Sequence, residues 1–184
     1  MIRLATPGDA AACLKIYAPI IEATAISFET VVPSVEEFAK RLAKIQAHYP
    51  FLVWEEDGEV LGYVYATRYR ERAAYDWVCE SAIYVSPAAH GRGIGRRLYE
   101  RLFTNLRAMN MISVVGGIRS GSASAEFHRH MGFVPVGTIP FAGYKFGAWH
   151  DVEFWQYLLA DPVPLSPAPV IPFPLLQHPV SGHA

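Results

Sequence analysis

The sequence predicts an α+β fold: a mixed, mainly antiparallel central sheet of about seven strands flanked by about four helices. Three observations carry that expectation. The hydrophobic periodicities run in the order β-α-α-β-β-β-α-β-α-β-β, which departs from strict strand–helix alternation. Two apolar runs flank Glu55-Glu56-Asp57-Gly58-Glu59, a hairpin signal that places antiparallel neighbours early in the chain. A strand over 77–85 then breaks into a glycine-rich turn and opens an amphipathic helix.

The elements follow in order. Residues 2–4 read as a short strand. Thr6-Pro7-Gly8-Asp9 resembles a capping box with proline at the first helical position, opening a helix to about Tyr17. Ser34-Val35-Glu36-Glu37 is a second such start, with Phe38, Leu42 and Ile45 on one face to about His48. Strands over 51–54 and 60–69 flank the hairpin turn. After the strand over 77–85, the spacing of Ile94, Leu98, Leu102 and Leu106 predicts a helix from Gly93 to about Met109. A strand over 112–118, a helix over 122–131 closed by Gly132, and strands over 134–139 and 152–159 complete the domain, 1–161. The remaining segment, 162–184, holds half of the 14 prolines and cannot continue a helix or a central strand. It is an extended tail or a strap on the domain surface.

With 52% hydrophobic and 18% charged residues, the 184-residue chain has the composition of a folded domain with a sizeable core. A formal net charge of −1 argues against dependence on nucleic-acid binding. Cys13 and Cys79 have no metal-ligand spacing, so no metal is expected. There is neither an apolar signal region nor a membrane-spanning run, and a cytoplasmic protein without a membrane partner is expected.

The glycine-rich turn is the most informative segment for function. The first-turn N–H groups of a helix lack internal partners, and its dipole adds partial positive charge. Gly91, Gly93 and Gly95 let the backbone approach a phosphate closely, while Arg92, Arg96 and Arg97 add charge. A Walker loop is excluded, since no Gly-Lys-Ser/Thr occurs. A dinucleotide fingerprint is excluded because Gly93-Ile94-Gly95 is followed by Arg96, Arg97 and Leu98.

Two residues stand out as acid–base candidates. Glu80 interrupts an otherwise apolar and small strand, where burial would raise its pKa toward a useful range; the alternative is a structural ion pair with Arg68, Arg70 or Arg72. Its neighbour Cys79 points to the opposite face by strand alternation and reads as packed. His128 lies on the helix before Gly132-Phe133, either as an acid or as a surface histidine.

His90-Gly91-Arg92-Gly93-Ile94-Gly95 resembles the acyl-CoA loop of the GNAT N-acetyltransferase superfamily, [Gln/Arg]-x-x-Gly-x-[Gly/Ala], with histidine at the first position. Gly143-Tyr-Lys-Phe-Gly-Ala-Trp-His-Asp-Val-Glu-Phe-Trp-Gln156 is similar to the C-terminal signature of the phosphinothricin N-acetyltransferase family. Ala25-Ile-Ser-Phe-Glu29, Tyr49-Pro-Phe-Leu-Val53 and Ala74-Tyr-Asp-Trp-Val-Cys-Glu-Ser-Ala-Ile-Tyr-Val85 also match that family.

The resemblance implies a GNAT-like fold and acetyl-CoA as co-substrate. Its pyrophosphate would lie on the amides of Gly91, Arg92, Gly93, Ile94, Gly95 and Arg96, its pantetheine arm along Ile83, Tyr84 and Val85, with Ser124 nearby. The family's usual asparagine aligns with Gly121, which removes one CoA contact. His128 stands where many GNAT enzymes place a tyrosine that protonates the CoA thiolate, and Glu80 would serve as base. The acceptor implied is a small amino acid such as phosphinothricin, methionine sulfoximine or methionine sulfone, with Arg72 as first choice for its carboxylate. Phe28 would line the side-chain pocket unless it is core, and Lys145 belongs to the same region. His150 and Asp151, being adjacent on a strand, face opposite ways and do not pair directly. A homodimer is implied as well. Another small amine or a protein N-terminus as acceptor, and a non-catalytic CoA-binding module, are the competing readings.

Overall fold

The structure is a computed structural model that describes residues 1–176. Its strands are β1 (Ile2–Leu4), β2 (Phe51–Glu56), β3 (Glu59–Arg68), β4 (Val78–Val85), β5 (Ser113–Arg119), β6 (Val134–Lys145) and β7 (Ala148–Leu158). Its helices are α1 (Ala10–Ala23), α2 (Val35–Gln46), α3 (Ile94–Ala108) and α4 (Ala123–His130). The strands form one sheet in the order β1-β2-β3-β4-β5-β7-β6. Every neighbouring pair is antiparallel except β4–β5, which is parallel because α3 carries the chain back between them.

Strand alternation divides the core between the two faces of the sheet. Phe51, Val53 and Tyr63 pack with Cys13, Tyr17, Ile21, Phe38 and Leu42 of α1 and α2. Leu52, Val64 and Cys79 pack with Leu98, Tyr99, Leu102 and Leu106 of α3. The α2 cap forms as expected, with the Glu37 N–H donating to Ser34 Oγ (3.2 Å) and the Ser34 N–H to Glu37 Oε2 (2.8 Å). Asp57 and Gly58, at φ +50° and +80°, make the two-residue turn of the β2–β3 hairpin.

Two expectations are corrected. The first helix does not stop near Tyr17 but runs through Pro19 to Ala23. An interior proline costs about 3 kcal/mol. Ile16, Tyr17 and Ile21 are all buried on the core face, and at roughly 1.5–3 kcal/mol for each large apolar side chain that burial outweighs it. The final strands are also longer than 134–139 and 152–159. Phe146 and Gly147, at φ +53° and +74°, form a tight turn that lets pairing continue to Lys145↔Ala148. The pattern hid this because β6 is an edge strand with apolar side chains exposed along it, so alternation gives no signal. Its ladder breaks between Ile139 and Gly143, where Pro140 has no N–H and the Phe141 N–H donates instead to Asp151 Oδ1 (2.8 Å).

The described part of the proline-rich segment lies on the domain as a strap; residues 177–184, Pro179 among them, fall outside the described residues. Trp77 Nε1 donates to the Ala168 carbonyl (2.7 Å) and Asn110 Nδ2 to that of Pro169 (2.9 Å). The Ile171 N–H donates to Met109 O and the Phe173 N–H to His48 O. Phe173 is buried in the α3-side core. The strap therefore covers the end of the sheet where β4 and β5 begin.

Candidate active site

The parallel ladder between β4 and β5 is short. It pairs Val78, Cys79 and Glu80 with Ser113, Val114 and Val115, and no further. Beyond that point β4 stays paired to β3 through Val85, and β5 to β7 through Arg119. The two strands thus diverge, and a cleft opens between them lined by Ser81, Ala82, Ile83, Tyr84, Gly116, Gly117, Ile118 and Arg119, with Ile26, Ser122, Ser124 and His128 closing its sides. Backbone edges that elsewhere would be satisfied in a sheet face a cleft here, so an extended ligand with amide groups can take the place of a strand.

The glycine turn stands at the end of β4. Gly91 and Gly93 adopt φ +76° and +75°, and nothing lies within 4 Å of where a Cβ would project from either. Gly93 is the N-cap of α3 and no side chain caps the helix, so its first N–H groups are open to an anion. Gly95 has a different reason to be small: a Cβ there would meet the Phe127 ring at 3.1 Å. The expected cations are engaged elsewhere, Arg92 with Glu56 (2.7 Å) and Arg96 with Glu100 (2.7 Å), while Arg97 lies over Trp54. His90 donates from Nε2 to the Val85 carbonyl (3.0 Å), fastening the turn to the strand that feeds it.

Glu80 and His128 approach the cleft from opposite faces of the sheet. Glu80 shares the α1/α2 face with Tyr84, which packs on Tyr17 and Tyr63. No ion pair holds Glu80 among the described residues: Arg68 binds Asp76 (2.5 Å), and Arg70 stacks over Tyr69. Burial raises the Glu80 carboxyl above its ordinary range, with the charge of Arg70 opposing. Gly117 keeps the space beside it, since a Cβ there would stand 3.6 Å from Glu80 Oε1. Cys79, on the other face, is fully buried and its thiol is pushed far up by burial, which leaves it inert.

His128 is buried rather than a surface residue. Its Nδ1 lies 2.7 Å from the Ser124 carbonyl, which can only accept, so Nδ1 carries the proton and Nε2 holds a lone pair. That lone pair accepts from the fully buried Tyr99 hydroxyl (2.8 Å), and Tyr99 in turn shares a hydrogen bond with Ser81 Oγ (3.2 Å). Burial lowers the His128 pKa, with the Ser124 contact opposing, which favours the neutral ring. Tyr99 and Ser81 were missed by sequence reasoning. The available signal was a hydroxyl in the core-facing stripe of α3 and a serine beside Glu80.

The expected acceptor residues separate. Arg72 is exposed at the start of a 3-10 turn; its carbonyl accepts from the Tyr75 N–H (2.9 Å), and its side chain makes no hydrogen bond or ion pair among the described residues. Phe28 lies against Gly143 of β6 and 6.2 Å from the His150 ring. Lys145 is buried, its Nζ donating to the carbonyls of Ile21 (2.7 Å) and Ser27 (2.8 Å). His150 donates to the Lys145 carbonyl while Asp151 accepts from the Phe141 N–H, so the two do not pair. Among the described residues no group of three or more His, Cys, Asp or Glu side chains could hold a metal ion, and no helix is long and apolar enough to cross a membrane.

Known proteins share this fold. A family model described as an acetyltransferase (GNAT) domain matches residues 2–154. A phosphinothricin N-acetyltransferase of Streptomyces viridochromogenes is 40% identical over 167 residues, covering 90% of this chain and 91% of that protein. An L-methionine sulfoximine/L-methionine sulfone acetyltransferase of Salmonella typhimurium is 35% identical, covering 86% and 94%. The crystal structure of a GNAT superfamily phosphinothricin acetyltransferase from Sinorhizobium meliloti, in complex with acetyl-CoA, superimposes with a TM-score of 0.86 at 32% identity, covering 91% of this chain and 92% of that one.

Proposed function

The chain belongs to the GNAT acetyltransferase family, and from that premise we propose that it acetylates the α-amine of a small amino acid of the phosphinothricin, methionine sulfoximine or methionine sulfone type, with acetyl-CoA as donor. Residues 1–161 form the catalytic domain in this reading, and the described part of the proline-rich segment that follows is strapped onto its α3 side. The observation that carries it is the divergence of β4 and β5 just past Glu80, with a raised carboxyl on one face and a buried histidine on the other.

Acetyl-CoA supplies the thioester; the open amides from Gly91 to Arg96 fit its pyrophosphate, and the free edge over Ile83, Tyr84 and Val85 fits its amide-bearing arm, with Ser124 at the far wall. Glu80, directly or through a water, takes the proton from the acceptor ammonium on the α1/α2 face. The freed amine attacks directly in a ternary complex, since the one nearby thiol, Cys79, is sealed and protonated. On the α3/α4 face His128 acts as a positioning residue, its Nε2 lone pair orienting Tyr99 and through it Ser81 at the cleft wall. The departing thiolate takes the second ammonium proton, released as the amide forms. Arg72, whose guanidinium has no partner among the described residues, and Arg70, whose charge reaches Glu80, are the cations offered to the acceptor's carboxylate.

The reading includes a homodimer. β6 is a free sheet edge on which Ile139, Phe141 and Tyr144 are at least half exposed, and Trp149 beside it is 59% exposed; an apolar edge of this kind is stabilised when a second copy covers it. Cys13 and Cys79 are buried free thiols, which fits the cytoplasm. Thiol release from acetyl-CoA tests the function, with methionine sulfoximine, its methyl ester and a polyamine as acceptors. The free amino acid should give the highest kcat/KM. Equal rates on all three would refute the acceptor class, and no release from any would leave a non-catalytic CoA-binding module.

A further inference from the structure

The segment joining α1 to α2 reaches the cleft through Ile26 and is held in three places. Lys145, the last residue of β6, donates to Ile21 O and Ser27 O, and its Nζ lies 5.0 Å from the centroid of the Phe146 ring. Two carbonyls and an aromatic face thus surround an ammonium whose residue is only 6% exposed. The Ile21 carbonyl belongs to the last turn of α1, where carbonyls lack helical donors and the helix end favours a cation. Phe28 rests on Gly143 so closely that a Cβ there would come within 2.4 Å of the ring. Glu29 accepts from Arg41 (2.7 Å) and from the Tyr17 hydroxyl (3.1 Å), and Tyr17 also bonds Ser27 Oγ (2.6 Å).

We propose that Lys145 is a positioning residue: it sets acceptor affinity by fixing residues 24–29 as the wall of the acceptor pocket, with Phe28 seated on Gly143 as the second tie, and it does not bind the acceptor itself. Two of the three ammonium N–H donors are held by carbonyls and the Phe146 ring lies beside the Nζ, so a substrate carboxylate could gain more than one N–H only by leaving a buried carbonyl without its partner. The segment it holds spans Ile26 in the cleft and Phe28 on the hairpin, so one cation joins the end of β6 to a wall of the cleft. Gly143 is required for a steric reason alone, because any side chain there displaces Phe28.

This inference rests on the acetyltransferase reading, and the experiment separates the two. Lys145→Met keeps the length of the side chain and removes its donors. It should raise the acceptor KM roughly tenfold or more, equally for methionine sulfoximine and its methyl ester, with the acetyl-CoA KM within about twofold of the parent. A loss confined to the free acid would make Lys145 a carboxylate ligand and overturn the proposal, as would unchanged KM for both. Gly143→Ala should reproduce the acceptor effect in the parent and add nothing in a Phe28→Ala background; additive losses would overturn the Phe28 seat. Gly143→Ala also keeps the test open if Lys145→Met fails to fold. A parent protein inactive on every amine would refute the acetyltransferase reading instead. Hydrogen exchange then decides the inference alone: Lys145→Met must accelerate the amides of residues 24–29, and unchanged exchange overturns it.

Discussion

Replacing Phe173 by alanine measures what the proline-rich strap contributes to the fold. The ring is 5% exposed and packs in the α3-side core, with Val170 and Leu176 against the same cluster. Phenylalanine to alanine in a core costs about 3–5 kcal/mol. The strap lies at the surface and can partly collapse into the space, which places the expectation near about 3 kcal/mol. For a chain of this size each kcal/mol corresponds to roughly 2–4 °C, so the melting temperature should fall by about 6–12 °C. The loss is a large fraction of a typical total stability of about 5–15 kcal/mol. The strap grips Trp77, Met109 and Asn110 at the beginnings of β4 and β5, away from the cleft at their far ends. The acetyl-CoA KM, measured well below the transition, should therefore stay within about twofold. Urea unfolding and a thermal scan followed by near-ultraviolet circular dichroism give the stability; thiol release gives the KM. A loss under about 1 kcal/mol would mean the strap is bound but not part of the core. A large rise in KM without destabilisation would mean it acts on the cleft.

Glu80→Gln should lower kcat by roughly 10²–10⁴-fold while leaving acetyl-CoA binding intact. Because burial raises the Glu80 pKa, the base loses its proton acceptance on acidification at a pH above the ordinary carboxylate range. The acid limb of kcat/KM should lie there in the parent and vanish in the variant; a normal profile in Glu80→Gln would make the residue structural. Gly93→Val puts a β-branched residue at φ +75°, a strain of roughly 1–3 kcal/mol, with its side chain in the open space over the α3 amides. Calorimetry should show acetyl-CoA affinity reduced more than about tenfold with unfolding still cooperative, and unchanged affinity would take this turn out of the site.

Local pattern alone carried much of the architecture. The capping box at Ser34, the Asp57-Gly58 hairpin turn and the apolar spacing of α3 each depend on residues within a few positions of one another, so they could be read directly. The same holds for the glycine turn after β4, whose left-handed positions at Gly91 and Gly93 are glycines because other residues are strained there. Glu80 stood out because a carboxylate is costly in an apolar strand, whatever its neighbours.

Tertiary structure alone decided the rest. The continuation of α1 through Pro19 follows from burial against strands more than thirty positions away, which no local penalty reveals. The cleft exists because β4 and β5 part after Glu80 and Val115, and strand propensity contains nothing about where a ladder ends. The tautomer of His128 depends on Tyr99, 29 positions earlier, and on the Ser124 carbonyl. Lys145 reads in sequence as one cation in a signature; its partners lie 124 and 118 positions away on α1 and the loop after it. Residue type sets which interactions a side chain can make, but a buried hydrogen bond forms only where the packed fold removes water and brings one particular partner within reach.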